Sequence, residues 1–397
     1  MSGGQDFQRE RDTVPGLLAA AQQMVPEVIL ARERAEEMRQ IPPPLADVIA
    51  NAGLYQMFLP RSVGGPEASP LVAFHAIEEL SKADGSVGWC VMIATDISLF
   101  AGWLKTEVLQ EMCGRPASLR AAGSLRPLGR ANPVDGGYRV RGQWNFASGI
   151  HNASWLYCPC VLTDYDKPLL TASGTPAVRA MWLPSNAATI KDTWSVMGLR
   201  GTGSQDFVVD DVFVRQDYTC FLGDPPNEDG PLFRPRMLFT FLFALNAAHA
   251  LGIARGAMDS FVDMAAREAS TQSTALLRDR PLVQSRAAEA EAILNAARAY
   301  VIDTVTRVWD AACNGKPDPA GEILQARLAI THSIHEAARV VGLLFHAAGT
   351  NAIYTRNPLE RHFRDIHVAE QHNAAFPAHY ESAGKALLGL RPSDPGW

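Results

Sequence analysis

Apolar residues in the first third of the chain recur every three or four positions. Leu17, Leu18, Ala21, Met24, Val25, Val28 and Ile29 fall on one helical stripe. The pattern restarts after Pro42-Pro43-Pro44, breaks at a turn holding Gly64-Gly65-Pro66, and resumes over residues 71–83. Asp84-Gly85-Ser86 then predicts the cap of a further helix carrying Trp89, Met92 and Phe100. After Gly114 the period shortens to two. Tyr138, Val140, Trp144, Phe146 and Ser148 are expected on one face of a strand, with Arg139, Arg141, Gln143 and Asn145 on the other. Asp135-Gly136-Gly137 reads as its hairpin turn, and residues 155–163, 177–183 and 207–214 as further strands. Helical spacing returns from Phe233, over residues 238–267, 278–313, 323–348 and a last pair within 358–390, which suits an antiparallel bundle. The order is α, β, α, and the fold class expected is α+β. An N-terminal helical domain is expected over 1–115, a central β domain over 116–227 and a C-terminal helical bundle over 228–397. No βαβ alternation occurs, so a dinucleotide-binding doubly wound sheet is excluded.

Composition narrows the partners. The 397 residues carry 36 Lys and Arg against 42 Asp and Glu, a formal charge of −6 without long like-charge runs, which gives nucleic acid no footprint. Six cysteines form no C-x-x-C pair, and Cys158-Pro159-Cys160 reads as strand filler, so neither a disulfide framework nor a zinc site is expected. Residues 1–12 are polar rather than basic-then-apolar, and no uninterrupted apolar stretch of membrane-spanning length is expected. These features suggest a cytoplasmic enzyme with a small-molecule substrate and no membrane partner.

Several familiar sites can be set aside. Gly198-Leu199-Arg200-Gly201-Thr202-Gly203-Ser204 lacks a P-loop lysine and leads into a strand, so it reads as a tight β-connection. His332, His335 and Glu336 lack the second histidine of H-E-x-x-H and read as a solvated helix face. No Gly-x-Ser-x-Gly elbow occurs. In the segment 358–372, a continuous helix would align Arg361, Asp365, Val368 and His372 on one stripe.

Taken in order, Gly64-Gly65, Ala83-Asp84-Gly85-Ser86-Val87-Gly88-Trp89, Trp144-Asn145-Phe146-Ala147-Ser148-Gly149, Met197-Gly198-Leu199-Arg200-Gly201 before Asp210-Asp211-Val212-Phe213-Val214, and Arg364-Asp365 resemble the acyl-CoA dehydrogenase superfamily along nearly the whole chain. The resemblance implies an N-terminal helical domain, a central β-barrel or sandwich and a C-terminal four-helix bundle. Flavin would lie between the β domain and the bundle of a homotetramer. By position, Gly123-Ser124-Leu125 and Trp144 to Ser148, Phe146 included, would meet the isoalloxazine ring, and Arg267 would meet the flavin phosphate. Gly349-Thr350-Asn351-Ala352 stands where the family has a Gly-Gly-x-Gly turn reaching flavin from a neighbouring subunit, with two of those glycines replaced.

An acyl-CoA dehydrogenase needs a carboxylate to take the substrate α-proton. The family's two glutamate positions fall here on Asn373, eight residues past Asp365, and on Leu242. His372 stands one residue before Asn373, and this spacing is similar to the two-component flavin-dependent monooxygenase branch, which includes hydroxyphenylacetate and secosteroid hydroxylases. That resemblance implies reduced flavin, FMNH2 or FADH2, supplied by a separate NAD(P)H:flavin reductase. It also implies O2, a C4a-hydroperoxyflavin and a small aromatic or heteroaromatic substrate. His372 would act as general base and Ser148 as hydrogen-bond donor to substrate or flavin. Some members carry a histidine early in the β domain, whereas this chain has none between His75 and His151, and Arg120 or Arg126 could stand in. The run Phe239, Phe241, Leu242 and Phe243 could line a planar pocket, though such runs are usually core. The alternatives are an acyl-CoA dehydrogenase or oxidase with a displaced base, and a flavin-free scaffold.

Overall fold

A computed structural model describes residues 3–114, 119–165, 167–269 and 274–392, with side chains from residue 16 onward. The expected boundary at 115/116 and the side chains of the polar stretch 1–12 therefore lie outside the described residues.

The N-terminal part is helical: α1 (Gly3–Met38), α2 (Pro43–Asn51), α3 (Pro70–Ala83), α4 (Gly85–Phe100) and α5 (Thr106–Cys113). Its breaks follow from single residues. Asp84 is extended and ends α3, and its carboxylate accepts the Val87 N–H at 3.0 Å to begin α4. α3 and α4 approach closely because position 88 is glycine. A Cβ there would lie 2.0 Å from the Ser81 hydroxyl oxygen.

The central part is one mixed sheet. Its strands are β1 (Ala121–Gly123), β2 (Gly129–Val134), β3 (Gly137–Ala147), β4 (Trp155–Asp164), β5 (Lys167–Pro168), β6 (Val178–Pro184), β7 (Thr189–Lys191), β8 (Gln205–Arg215) and β9 (Thr219–Cys220). They run in the order β7-β8-β3-β2-β4-β6-β9, with β1 and β5 paired to β4. β2 and β1 pair with β4 in parallel, and the other pairings are antiparallel. Strands far apart in that order, such as β8 and β6, contribute Phe207, Val209, Met181 and Leu183 to a single core around Trp144, so the sheet curls about it. Cys158 and Cys160 are buried in β4 as filler.

The expected face of β3 holds only as far as Trp144. Its register against β8 shifts between Val140 and Gly142 and again between Trp144 and Ala147. A bulge adds one residue and turns the following side chains over. Phe146, expected to share the face of Trp144, is instead 59% exposed and held at φ 62°, a conformation rare for a bulky residue.

The C-terminal part holds α6 (Leu238–Ala265), α7 (Pro281–Cys313), α8 (Ala320–Ala348), α9 (Pro358–Ala369) and α10 (Ala378–Leu387). α7 starts three residues later than expected because Pro281 occupies its first position. α9 packs on α6 and α8 to close the bundle. Position 252 of α6 is glycine where a Cβ would come 2.4 Å from the Glu78 carbonyl oxygen, so α6 lies directly on α3. One apolar cluster accordingly runs through both helical parts, from Phe74 and Val91 to Leu251, Val305, Ile330 and Ile366.

One expectation needs correcting. Gly85–Trp103 and Leu238–Ala265 are long and apolar enough to cross a membrane, but 89% of each apolar window is buried inside the protein. They are the centre of the helical core, where a helix is apolar all round because it is covered all round.

Candidate active site

Four elements converge beside the end of β3: the start of α4, the middle of α6, the loop before β8 and the segment after α9. Trp89 of α4 is their meeting point. Its indole N–H donates to the Ser148 hydroxyl at 3.0 Å, and its ring meets His249 and His372 edge-on at 5.0 and 5.6 Å between centroids.

Ser148 is 5% exposed and belongs to a chain of hydroxyls whose direction can be deduced. Thr202 Oγ1 donates to the Leu199 carbonyl oxygen at 2.9 Å, which commits its proton. Ser204 Oγ lies 2.7 Å from Thr202 Oγ1 and 2.7 Å from Ser148 Oγ. Ser204 must therefore donate to Thr202, and Ser148 to Ser204. The Ser148 proton is spent within the protein, and what the hydroxyl can still offer is a lone pair. The expected donor is in this structure an acceptor.

The Arg364-Asp365 pair anchors that chain. Asp365 accepts the Leu199 N–H at 2.6 Å, and Arg364 donates to the Met197 carbonyl oxygen at 2.6 Å while pairing with Glu36 of α1 at 2.8 Å. Leu199 has φ 51°, and a Cβ on Gly198 would sit 2.3 Å from the Arg364 carbonyl oxygen. The glycine-rich segment is thus the tight β-connection expected, clamped to α9. Burial, with the nearby Asp84 charge, raises the Asp365 pKa to about 7.

His372 does not continue the helical stripe of Arg361 and Asp365, because α9 ends at Ala369. It lies just beyond, where its Nδ1 accepts the Ala374 N–H at 3.2 Å. Its ring also meets the edge of Phe243 at 6.2 Å, and the Arg327 guanidinium lies 4.8 Å from the Phe243 ring centre. Burial pulls the His372 pKa down to about 4, so the ring is neutral at pH 7. With Nδ1 accepting, the remaining proton is on Nε2. The imidazole therefore presents an N–H, whereas a general base would present a lone pair.

The positions that would carry a dehydrogenase base hold Leu242, 2% exposed, and Asn373, exposed on the far side of His372. A carboxyl absent from the sequence reading does stand on α4. Asp96, two turns from Trp89, is 7% exposed with Oδ1 unpartnered, and burial holds its pKa far above the usual carboxylate range. Two further groups went unread. His249 is fully buried with Nε2 2.8 Å from the Gly85 carbonyl oxygen, and Asn246 lies one turn before it. The available signal was their type: polar residues within the Ala- and Leu-rich run of α6, like Asp96 within that of α4.

The residues expected to hold flavin divide into groups. Ser124, 8% exposed, and Leu125, 47% exposed, follow β1, which pairs with the start of β4. Leu125 and Phe146 leave apolar side chains uncovered on the β domain, whereas Ser124 is buried. Trp144 does not belong there. It is fully buried, stacked on Phe207 at 5.2 Å, with its N–H bonded to the Pro159 carbonyl oxygen. Arg267 is exposed past the end of α6 and paired with Asp263. Gly349 and Thr350 lie near it, since Asn351 donates to the Ala269 carbonyl oxygen at 3.1 Å. They border a cavity of 520 Å³ that Arg280, Arg286 and His346 also line. At about 1.5 Å per residue, the end of α6 is roughly 24 Å from His249. A single chain therefore does not bring Arg267, Gly349 and Thr350 together with Ser148 and His372.

Elsewhere the simpler readings hold or shift slightly. His335 is half-buried rather than solvated and bonds the Ala375 carbonyl oxygen, and no metal-binding cluster occurs among the described residues. Arg120 is tied to Asp47 at 2.8 Å. Phe241 and Leu242 are core, while Phe239 is 37% exposed.

Comparison with known proteins agrees with this fold. Residues 16–111 match the N-terminal domain of acyl-CoA dehydrogenase and residues 244–377 its C-terminal domain. The chain is 33% identical over 362 residues to an indole-3-acetate monooxygenase of Pseudomonas putida, covering 91% of this chain and 90% of that protein. It is 28% identical over 398 residues to the flavin-dependent monooxygenase oxygenase subunit HsaA of Mycobacterium tuberculosis, covering 97% and 98%. The crystal structure of 3-HSA hydroxylase from Rhodococcus sp. RHA1 superimposes with a TM-score of 0.86 at 26% identity, covering 96% of this chain and 99% of that one. With its fold, its missing carboxylate base and these relatives, the chain belongs to the acyl-CoA dehydrogenase superfamily, in the branch of flavin-dependent monooxygenases.

Proposed function

We propose that this protein is the oxygenase component of a two-component system that hydroxylates a small aromatic or heteroaromatic substrate. A separate NAD(P)H:flavin reductase supplies its FMNH2 or FADH2. The observation that carries the reading is His372, a neutral imidazole between the edges of Trp89 and Phe243 next to the position where a dehydrogenase would hold a carboxylate. The oxygenase subunit HsaA among its relatives supports the separate reductase, and the indole-3-acetate monooxygenase supports the aromatic substrate class.

Reduced flavin, when bound, supplies two electrons for the activation of O2. The protein's own groups do the rest. Ser148 offers a lone pair to a ring N–H, which suits a reduced flavin better than an oxidised one. Leu125 and Phe146 cover the ring and keep water from it. His372 Nε2–H would donate a hydrogen bond to an oxygen atom of the substrate. Gly349, Thr350 and Arg267 would hold the phosphate end of a flavin whose ring is bound by a neighbouring subunit. This division of the site supports a homotetramer. We place the enzyme in the cytoplasm, a compartment that keeps cysteines such as the buried Cys90, Cys158 and Cys160 reduced.

The test is single-turnover oxidation of the protein with reduced FAD or FMN and indole-3-acetate under ¹⁸O2. One labelled oxygen atom in the product is expected. Reduction of bound oxidised flavin by an acyl-CoA, with no oxygen incorporated, would overturn the reading in favour of a dehydrogenase.

A further inference from the structure

Two buried lone pairs on α6 have no partner. Asn246 is 4% exposed, and its Nδ2 donates to the Leu242 carbonyl oxygen one turn back at 3.3 Å, which turns Oδ1 outward without a hydrogen bond. His249, fully buried, places Nε2 2.8 Å from the Gly85 carbonyl oxygen. A carbonyl oxygen only accepts, so Nε2 carries the proton and the unpartnered Nδ1 is a lone pair. The low pKa of the ring, about 4 through burial, keeps it so at neutral pH. Both groups are thus locked as acceptors by backbone carbonyls, a fixed choice rather than an adaptable one. They are three residues apart on the same helical stripe, with Cβ atoms roughly 5–6 Å apart. Buried acceptors are costly to leave unanswered, and native proteins rarely do so.

Their surroundings say what answers them. His249 meets the Trp89 ring, Trp89 meets His372, and Phe243, three residues before Asn246, also meets His372. The acceptors therefore border the aromatic walls of the proposed oxygenation site. We propose that Asn246 Oδ1 and His249 Nδ1 bind the ring N–H or O–H of the aromatic substrate, so that the enzyme selects rings bearing a hydrogen-bond donor over rings of the same shape without one. This rests on the aromatic-oxygenase reading and adds to it the chemical class of the substrate. A site built to bond a donor rejects the isostere lacking it strongly, because the isostere leaves the acceptors unpaired.

The experiment compares dissociation constants for two isosteric pairs on the anaerobic complex with reduced flavin: indole-3-acetate against benzofuran-3-acetate, and 4-hydroxyphenylacetate against 4-fluorophenylacetate. In at least one pair the donor-bearing ring should bind about tenfold or more tightly. Asn246→Leu and His249→Phe should shrink that ratio to below about threefold by weakening the donor-bearing ligand alone. Equal binding within both pairs, binding of neither pair, or a ratio that survives in both variants overturns the proposal. The wild-type comparison stands even if a variant does not fold. Admitting O2 separates the two ideas: oxygenation of both members of a pair with no preference sinks the acceptor pair alone, whereas selective binding without oxygen transfer to any ring sinks the oxygenase reading.

Discussion

Trp89 on α4 and Ser148 at the end of β3 are joined by a 3.0 Å hydrogen bond from indole to hydroxyl, which couples the helical core directly to the β domain at the site. Trp89→Phe would keep an aromatic ring beside His372 and remove the donor together with part of the indole's bulk. The loss should be about 1 kcal/mol of positioning energy, or roughly fivefold to tenfold in coupling of O2 use to product. It should appear as more H2O2 per product formed. An unchanged ratio of H2O2 to product would show that this bond does not position the site.

His372→Ala should lower hydroxylation by at least about 100-fold while leaving reduced-flavin affinity nearly intact. Asn373→Ala, one residue on and solvent-exposed, should have little effect. Because burial holds His372 near a pKa of about 4, its neutral form persists through mildly acid conditions. The rate should stay flat from pH 8 to about 5 and fall only toward 4, where a proton on Nδ1 would break the bond from the Ala374 N–H. A histidine-controlled acid limb near ~6.5 in a kcat profile would count against this.

Asp365 gives a stability prediction with a definite sign. Its folded pKa, about 7, is above the ordinary 3.8, so the folded protein holds a proton in that interval that the unfolded chain releases. The stabilisation is complete below the ordinary value and is lost as pH rises through 7. Asn cannot titrate but keeps an oxygen for the Leu199 N–H. Relative to wild type, Asp365→Asn should therefore become steadily more stable as pH rises from 4 to 8, by up to about 4 kcal/mol. Urea melts across that range would reveal a flat difference if the carboxyl were ionised throughout.

Gly349 has φ 63° and ψ −143°, a region open essentially to glycine alone, with no atoms near where a Cβ would go. Gly349→Ala should cost about 1–3 kcal/mol purely through the backbone. Thermal melts should register this loss, and flavin affinity should weaken with it if the turn serves the cofactor. An unchanged melting temperature would mean that the turn relaxes freely.

Much of this architecture can be read from residue order because its breaks are local. Asp84 closes one helix and opens the next through its own carboxylate, and Pro281 can only begin a helix. The hairpin turn before β3 is equally local, with Gly136 at φ 75°. What was not legible depended on pairing between distant segments. The bulges of β3 exist only against β8, so alternation carried Phe146 onto the face of Trp144, while the family resemblance placed Trp144 at the flavin. The direction of the Ser148 proton depends on Leu199, and the tautomer of His372 on a turn that ends α9 sooner than its stripe suggests. The apolar lengths of α4 and α6 resemble membrane spans until their neighbours are placed around them. Site residues were thus nameable by resemblance, while their donor and acceptor roles came only with their partners.

The glycine contact of α6 with α3 bears on how the chain is made. Residues 16–111 leave the ribosome first, yet the surface of α3 that receives Gly252 has no cover until α6 has been synthesised more than a hundred residues later. For that interval the nascent N-terminal helices expose an apolar face that they cannot bury by themselves. The intervening sheet carries its own core and can form in the meantime. A chain truncated before residue 238 should therefore be bound by chaperones and degraded rather than accumulate as a folded fragment.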